Sequence, residues 1–360
     1  MVVYQRHYVS LKIFLFLVLV SSLNLILPSY SFVPLLPPWR GIRQLFHIGP
    51  IGYWLDRIKY QLHYYDDDQI LYLKIPSPTT TTNNKNNNHH PLPKFVTATN
   101  LPPKSSSSFV RIMFVSDTHG KHVCLSNRIP SSSSIDIMIH CGDVTLSYGY
   151  SKKNKDNYKQ QRKVWDDFDV WCGRMKVEKG ISEIFVLFGN HDSIGEMNDN
   201  NNENQSLVAL QNAKLIHDGN FIQTKNGNLK LFGSSFSPPG VTCNNAFQNV
   251  EMLQHHLEKA NNNNENKKLD ILITHGPSYE MQQLAESLNV PIWVYGHFHD
   301  GYGINTIQKK GKKKNKTEEN TTNATDDNIL YTINAASCDM IYRPVNPPII
   351  VDYIRFNDEE

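Results

Sequence analysis

Eight residues on five separate stretches have the types and spacing to do chemistry. They are Asp117 and His119 in SDTHG, Asp143 in CGD, Asn190 and His191 in GNHD, His275 in THGP, and His297 and His299 in GHFHDGYG. Carboxylates, imidazoles and one amide oxygen suit borderline divalent metals such as Mn, Fe or Zn, and do not make a thiolate site. Taken singly, each has a modest explanation. His297 and His299 stand one residue apart in a glycine-flanked turn, where two rings can share one ion, serve two ions, or be solvated. Five ordered blocks, each an apolar run ending in such a turn, favour the metal. His140 also ends an apolar run and reads as a core or supporting histidine, with Cys141 beside it a packed thiol.

These groups need elements to position them. FVRIMFV (109–115), IDIMIH (135–140), EIFVLF (183–188), LDILI (269–273) and PIWVY (291–295) are short, rich in β-branched and aromatic residues, and predict strands buried on both faces. Polar residues at the carboxyl ends of successive strands are how α/β proteins build active sites. LIHDGNFIQTKNGNLKLFGSSF (215–236) predicts an antiparallel hairpin around NGN. VWDDFDVWCGRM (164–175) and NVEMLQHHLEKA (249–260) predict covering helices. The polar insertions 151–163, 198–206, 260–268 and 309–328 fall between these blocks, as surface loops do.

In that order, DxH, GD, GNHD, a later H and GHxH resemble the calcineurin-like metallophosphoesterase superfamily over about 109–353. SDTHGKH, GDVTLSYG, LFGSSFSPPG, LITHGP, GHFHDGYG and INAASC…NPPIIVDY are most similar to its metallophosphoesterase-domain-containing (MPPED) branch. The resemblance implies an α/β fold, a four-layer α-β-β-α sandwich of two mixed sheets flanked by helices. It also implies two divalent or trivalent ions (Mn, Fe or Zn) about 3.5–4 Å apart. Asp117, His119 and His299 would hold the first, Asn190, His275 and His297 the second, with Asp143 bridging and His191 off the metals.

The chemistry implied is hydrolysis of a small phosphodiester or nucleotide-type substrate. Two cations make hydroxide available near neutral pH, and His191 protonates the departing oxygen as general acid. Asp192 either orients His191 or holds its turn; His122 either touches substrate or packs its loop. Two departures bear on the substrate pocket. Only SYEMQQLAESLNV (278–290) follows THGP, shorter than in relatives, and Asn245 stands where relatives tend to have Trp.

Composition bounds the alternatives. A formal net charge of +2 over 360 residues gives no electrostatic case for a nucleic-acid partner. KKNKDNYKQQRK (152–163) and KKGKKKNK (309–316) would suit a nuclease, but as Asn/Lys-rich insertions they read as solvated. A membrane-tethered nucleotide- or metal-binding module with little turnover is the competing class. Five scattered cysteines with no CxxC pair read as thiols, not a disulfide framework.

The chain divides at composition shifts. Residues 1–30 pair a basic leader with an apolar run at 13–28, as a signal peptide or signal anchor does, which places the protein in the endomembrane system or outside the cell, with a cytoplasmic face open. Residues 31–108 read as an extension and linker. There Ile51, Leu55, Ile58, Leu62 and Tyr65 fall at helical spacing, and PSPTTTTNNKNNNHHPLPKF includes the solvent-facing His89 and His90. The catalytic domain is expected over 109–353, with an acidic tail at 354–360. Sequons at Asn204, Asn315, Asn320 and Asn323 lie in expected loops.

Overall fold

Neighbouring side chains of a strand point to opposite faces, so a strand apolar throughout needs a partner layer on each side. In the computed structural model, β1 (Gln69–Ile75), β2 (Lys94–Thr97), β3 (Phe109–Val115), β4 (Ile137–His140), β5 (Glu183–Val186) and β6 (Lys214–Leu215), together with a later strand, form one sheet. Helix α1 (Lys155–Lys179) lies between β4 and β5 in the chain. A second sheet uses β7 (Phe221–Gln223), β8 (Lys230–Ser234), β9 (Ile271–Thr274), β10 (Ile292–Tyr295), β11 (Gly303–Gln308) and β12 (Ile329–Asn334). Helices α2 (Val250–Asn262) and α3 (Tyr279–Ser287) flank β9, and β13 (Ile349–Ile354) returns to the first sheet. The strand orders are β2-β1-β13-β3-β4-β5-β6 and β11-β12-β10-β9-β8-β7. The structure describes residues 69–75, 92–104, 109–130, 135–146, 155–196, 208–216, 219–238, 246–262, 268–309 and 329–354.

The alternation sorts into three cores. Val110, Ile112 and Phe114 of β3 meet Ile271, Ile273, Ile292 and Val294 of the second sheet. Met113 and Val115 face outward onto Trp165, Phe168 and Trp171 of α1. Leu272 and Trp293, on the far side of the second sheet, pack on Leu253 of α2 and Met281 and Leu284 of α3. Helix, sheet, sheet and helix are thus the four layers expected. Both sheets are mixed: β3, β4 and β5 run parallel, whereas β13 is antiparallel to β3.

The sheet begins earlier than the expected boundary at 109. QILYLKI forms β1, parallel to β13, and β2 pairs antiparallel to β1. A buried charge network ties this edge together. Asp352 accepts from Arg111 Nε at 2.7 Å and Nη2 at 2.8 Å, and from the Tyr72 hydroxyl at 2.8 Å. Losing either charged partner would strand the other in the interior, at a cost of about 3–5 kcal/mol.

Helix α1 also starts inside the loop expected at 151–163. Gln161 is buried there because its amide donates to Ser193 Oγ (2.7 Å) while its carbonyl accepts from Ile194 N–H (3.0 Å). The hairpin around NGN forms as β7–β8, pairing Gln223 with Lys230. Of the cysteines, Cys124, Cys141, Cys172 and Cys338 are free thiols, the last three buried. Among the described residues no helix is long and apolar enough to cross a membrane. The apolar run 13–28, the stripe 51–65, His89, His90, Asn245 and the four sequons lie outside them.

Candidate metal centre

The carboxyl ends of β3, β4 and β5 in one sheet and of β9 and β10 in the other converge, and all eight candidate residues meet there. Asp117 Oδ1 lies 3.2 Å from His299 Nε2, and His119 Nε2 lies 3.2 Å from the same nitrogen. Across the cluster, Asn190 Oδ1 is 2.9 Å from His275 Nε2 and 2.8 Å from His297 Nδ1. Asp143 stands between the two groups, its Oδ2 3.4 Å from His275 Nε2 and 3.9 Å from His119 Nε2. Donor atoms within Asp117/His119/His299, within His119/Asp143/His191 and within Asp117/Asp143/His275 lie inside 4.8 Å of one another.

His297 and His299 diverge for a backbone reason. His297 takes φ +66°, in the left-handed region, which turns its ring toward Asn190 and sends the next residues back toward Asp117. Its amide N–H meanwhile donates to both Asp117 carboxylate oxygens, at 3.1 and 3.0 Å. Asp117, His119 and Asp143 are also left-handed, with φ of 53°, 46° and 58°. Such conformations cost about 1–3 kcal/mol each and persist where the surroundings over-determine them. Here Asp117 N–H donates to Gly142 O, His119 N–H to Asp143 O and His191 N–H to Asp143 Oδ1, at 2.9, 3.0 and 2.8 Å. Gly296 lets the turns after β3 and β10 approach closely: a Cβ there would collide with Ser116 Oγ and Asp117 Oδ2.

The donor chemistry fits cations. A carbonyl can only accept, so a ring nitrogen bonded to one must carry a hydrogen. His119 Nδ1 donates to Thr145 O, His299 Nδ1 to Asp339 O and His275 Nδ1 to Cys141 O, each at 2.9 Å. In the neutral ring each Nε2 is then a lone pair, and these lone pairs face one another, a carboxylate or an amide oxygen. Facing lone pairs are stabilised by positive charge between them, and the backbone bonds orient the rings as outer partners of metal-binding histidines do.

The titration directions agree. Burial opposes a charged His275, but the Asp143 and Asp117 carboxylates raise it to about 9. Burial likewise opposes a charged His299, and its bond to Asp117 raises it nonetheless. Burial dominates at His119 and His297 and lowers them to about 3 and about 4. Asp117 and Asp143 are held well below the ordinary carboxylate range despite burial, by His299 and His275 respectively. The two buried carboxylates draw positive charge to this cluster from whatever can supply it.

Neighbours fall into supporting places. His191 Nε2 is 3.9 Å from Asp143 Oδ2, with its ring 4.9 Å from that of His119. Asp192 holds the turn: its carboxylate accepts from Val144, Thr145 and Gly189 amides at 3.2, 2.9 and 2.9 Å. His140 bonds Thr118 Oγ1 at 3.0 Å and accepts from Gly142 N–H at 3.3 Å, so it supports the turns and is lowered to about 3 by burial. His122 packs on Phe168 and Trp171, which is the loop-packing role. The segment 278–290 is mostly α3, whose buried face is taken up by the outer core of the second sheet.

Two further residues, Asp339 and Tyr342, take part in the cluster. Asp339 gives its carbonyl to His299, and the Tyr342 ring stands 4.8, 5.4 and 5.9 Å from the rings of His119, His299 and His191. One contact is made by backbone and the other by a turn 43 residues beyond His299, so no ligand spacing announces either. The i, i+4 pair Asp339 and Arg343, joined at 2.6 Å, was the one available sign of a structured turn.

Comparison with known proteins gives consistent results. The model of the calcineurin-like phosphoesterase family matches residues 110–301. Metallophosphoesterase domain-containing protein 1 of Homo sapiens and its counterpart in Mus musculus are each 28% identical over 282 residues, covering 68% of this chain and 71% of theirs. A probable rhamnogalacturonate lyase C of Emericella nidulans is 29% identical over 231 residues. That alignment covers 58% of this chain and spans only 19% of the lyase.

Proposed function

This chain belongs to the calcineurin-like phosphoesterase family, and from that premise we propose that it is a dinuclear metal-dependent hydrolase of small phosphodiester or nucleotide-type substrates. The family and the His/Asp cluster support a metal-dependent phosphoesterase. One observation supports two ions: the donors divide into two groups with Asp143 between them. Asp117, His119 and His299 would hold one ion, and Asn190, His275 and His297 the other. Bound ions would supply the Lewis-acid charge that activates water and draws the phosphoryl oxygens.

The chain's own groups do the rest. Asp143 presents a carboxylate oxygen to both groups while its other oxygen is fixed by the His191 amide. Carbonyls of Thr145, Asp339 and Cys141 keep Nδ1–H on the three imidazoles, leaving Nε2 as donor atom. His191, beside Asp143 and off both ligand groups, delivers a proton from Nε2 to the departing ester oxygen.

Removal of divalent ions by a chelator is expected to abolish hydrolysis of bis(p-nitrophenyl) phosphate, and Mn²⁺ to restore it. Unchanged turnover in chelator would overturn the metal-dependent reading, and no turnover even with Mn²⁺ would favour a binding module. The basic leader and apolar run of residues 1–30 support a location in the endomembrane system or outside the cell, anchored or released, with a cytoplasmic face as the alternative. A mass shift on deglycosylation is the expected result, and none would point to a cytosolic face.

A further inference from the structure

Turn tips are normally Gly, Asn, Asp or Ser, residues that solvent accepts and that bend the backbone. The turn 339–342 departs from this beside the metal centre. Tyr342 N–H closes it on Asp339 O at 2.8 Å and Ile341 N–H bonds the Asp339 carboxylate at 3.0 Å, so the two tip positions are Met340 and Ile341. Both are exposed, 53% and 44%. Phe298, between the two histidines of the opening turn, is 46% exposed, and its ring lies 5.2 Å from that of His297. On the other flank, Tyr342 leans on His119, His299 and His191 while holding a left-handed φ of 61°.

The two loops are one unit. The carbonyl of Asp339 bonds His299 Nδ1, so the apolar tip is tied to a ring of the cluster. Scattered exposed apolar residues are ordinary, whereas several on two joined loops around a reactive cluster mark a contact surface. The cations Arg343 and Lys121 beside this rim are already committed. Arg343 is paired with Asp339, and Lys121 Nζ donates to the Tyr342 carbonyl. The rim therefore offers apolar surface, and its cations are engaged by the protein itself.

Resting on the phosphoesterase reading above, we propose that the substrate is a phosphodiester with an aliphatic chain as one ester group. Phe298, Met340, Ile341 and Tyr342 receive that chain while the phosphate sits on the cluster. Water adds to phosphorus, the bond to the leaving oxygen breaks, and that oxygen leaves protonated. The chain-bearing phosphate monoester remains. Binding of the chain is uniform in ground and transition states, so it acts through KM.

The test compares methyl p-nitrophenyl phosphate with octyl p-nitrophenyl phosphate, both as monomers with Mn²⁺. The octyl ester is expected to be at least about tenfold better in kcat/KM, the scale that hydrophobic-pocket contacts supply, and mainly through KM. In Met340→Ser/Ile341→Ser that ratio should fall to within about twofold of one. Each ratio is internal to one protein preparation, so a folding defect does not imitate the effect. Equal efficiency on both esters in the wild type, or a ratio unchanged in the double variant, overturns the rim. A preference for a nucleoside ester over the octyl ester overturns it too. Hydrolysis of neither ester instead overturns the phosphoesterase reading, and the rim with it. Placing the octyl ester in phosphatidylcholine vesicles separates the sources of the chain: a retained rate identifies a bilayer lipid, and a lost rate a free amphiphile.

Discussion

Asp143→Ala is expected to lower metal-dependent hydrolysis by on the order of 10³-fold or more, with loss of bound metal. The magnitude follows from several kcal/mol of transition-state charge stabilisation supplied by the ions, at 1.36 kcal/mol per tenfold in rate. The Oδ2 of Asp143 faces histidines of both groups, 3.4 Å from His275 and 3.9 Å from His119. Its removal takes anionic charge from both at once. Asp143→Asn separates charge from shape, since an amide oxygen can still accept the His191 N–H now bonded at 2.8 Å. If charge is what matters, Asn should behave like Ala in metal content. Near-normal metal and activity in Asp143→Asn would show that the residue serves the turn and not the ions.

His191→Ala is expected to lower kcat by about 10²–10⁴-fold, the usual worth of a positioned general acid, with the metal content unchanged. The reasoning is positional. One of its ring nitrogens lies with the donor atoms of His119 and Asp143 inside 4.8 Å, yet His191 belongs to neither the Asp117/His119/His299 group nor the Asn190/His275/His297 group. A proton donor matters most when the leaving group is basic, so the loss should be larger for an alkyl leaving group than for p-nitrophenolate. A ligand role would instead deplete metal and slow both substrates alike. Steady-state kinetics on the two esters, with metal analysis of the same preparation, decides between these outcomes.

Much of this cluster was legible because its residues sit at strand ends. The runs at 109–115, 183–188 and 291–295 announce buried strands, and the residues just after them are the ones that meet. The division of labour between His297 and His299 was not legible from composition or spacing, since it depends on the left-handed φ of His297. QILYLKI was hidden for a different reason. It lies between DDD and PSPTTTT, and its covering partner is far along the chain: Tyr72 reaches Asp352 across 280 residues. Gln161 misled in the opposite sense, since a polar residue in a polar tract reads as solvated until its two partners at 193 and 194 are seen. Tyr342 and Asp339 contribute a ring edge and a backbone carbonyl. Neither contact leaves a pattern in the sequence.

Counting metal in the purified protein tests the central claim most directly. Elemental analysis should find two ions per chain in the wild type and one each in His297→Ala and His299→Ala. Because the two rings serve different groups, the double variant should retain none. One ion or none in the wild type, or a double variant no poorer in metal than either single one, would contradict the two-site account.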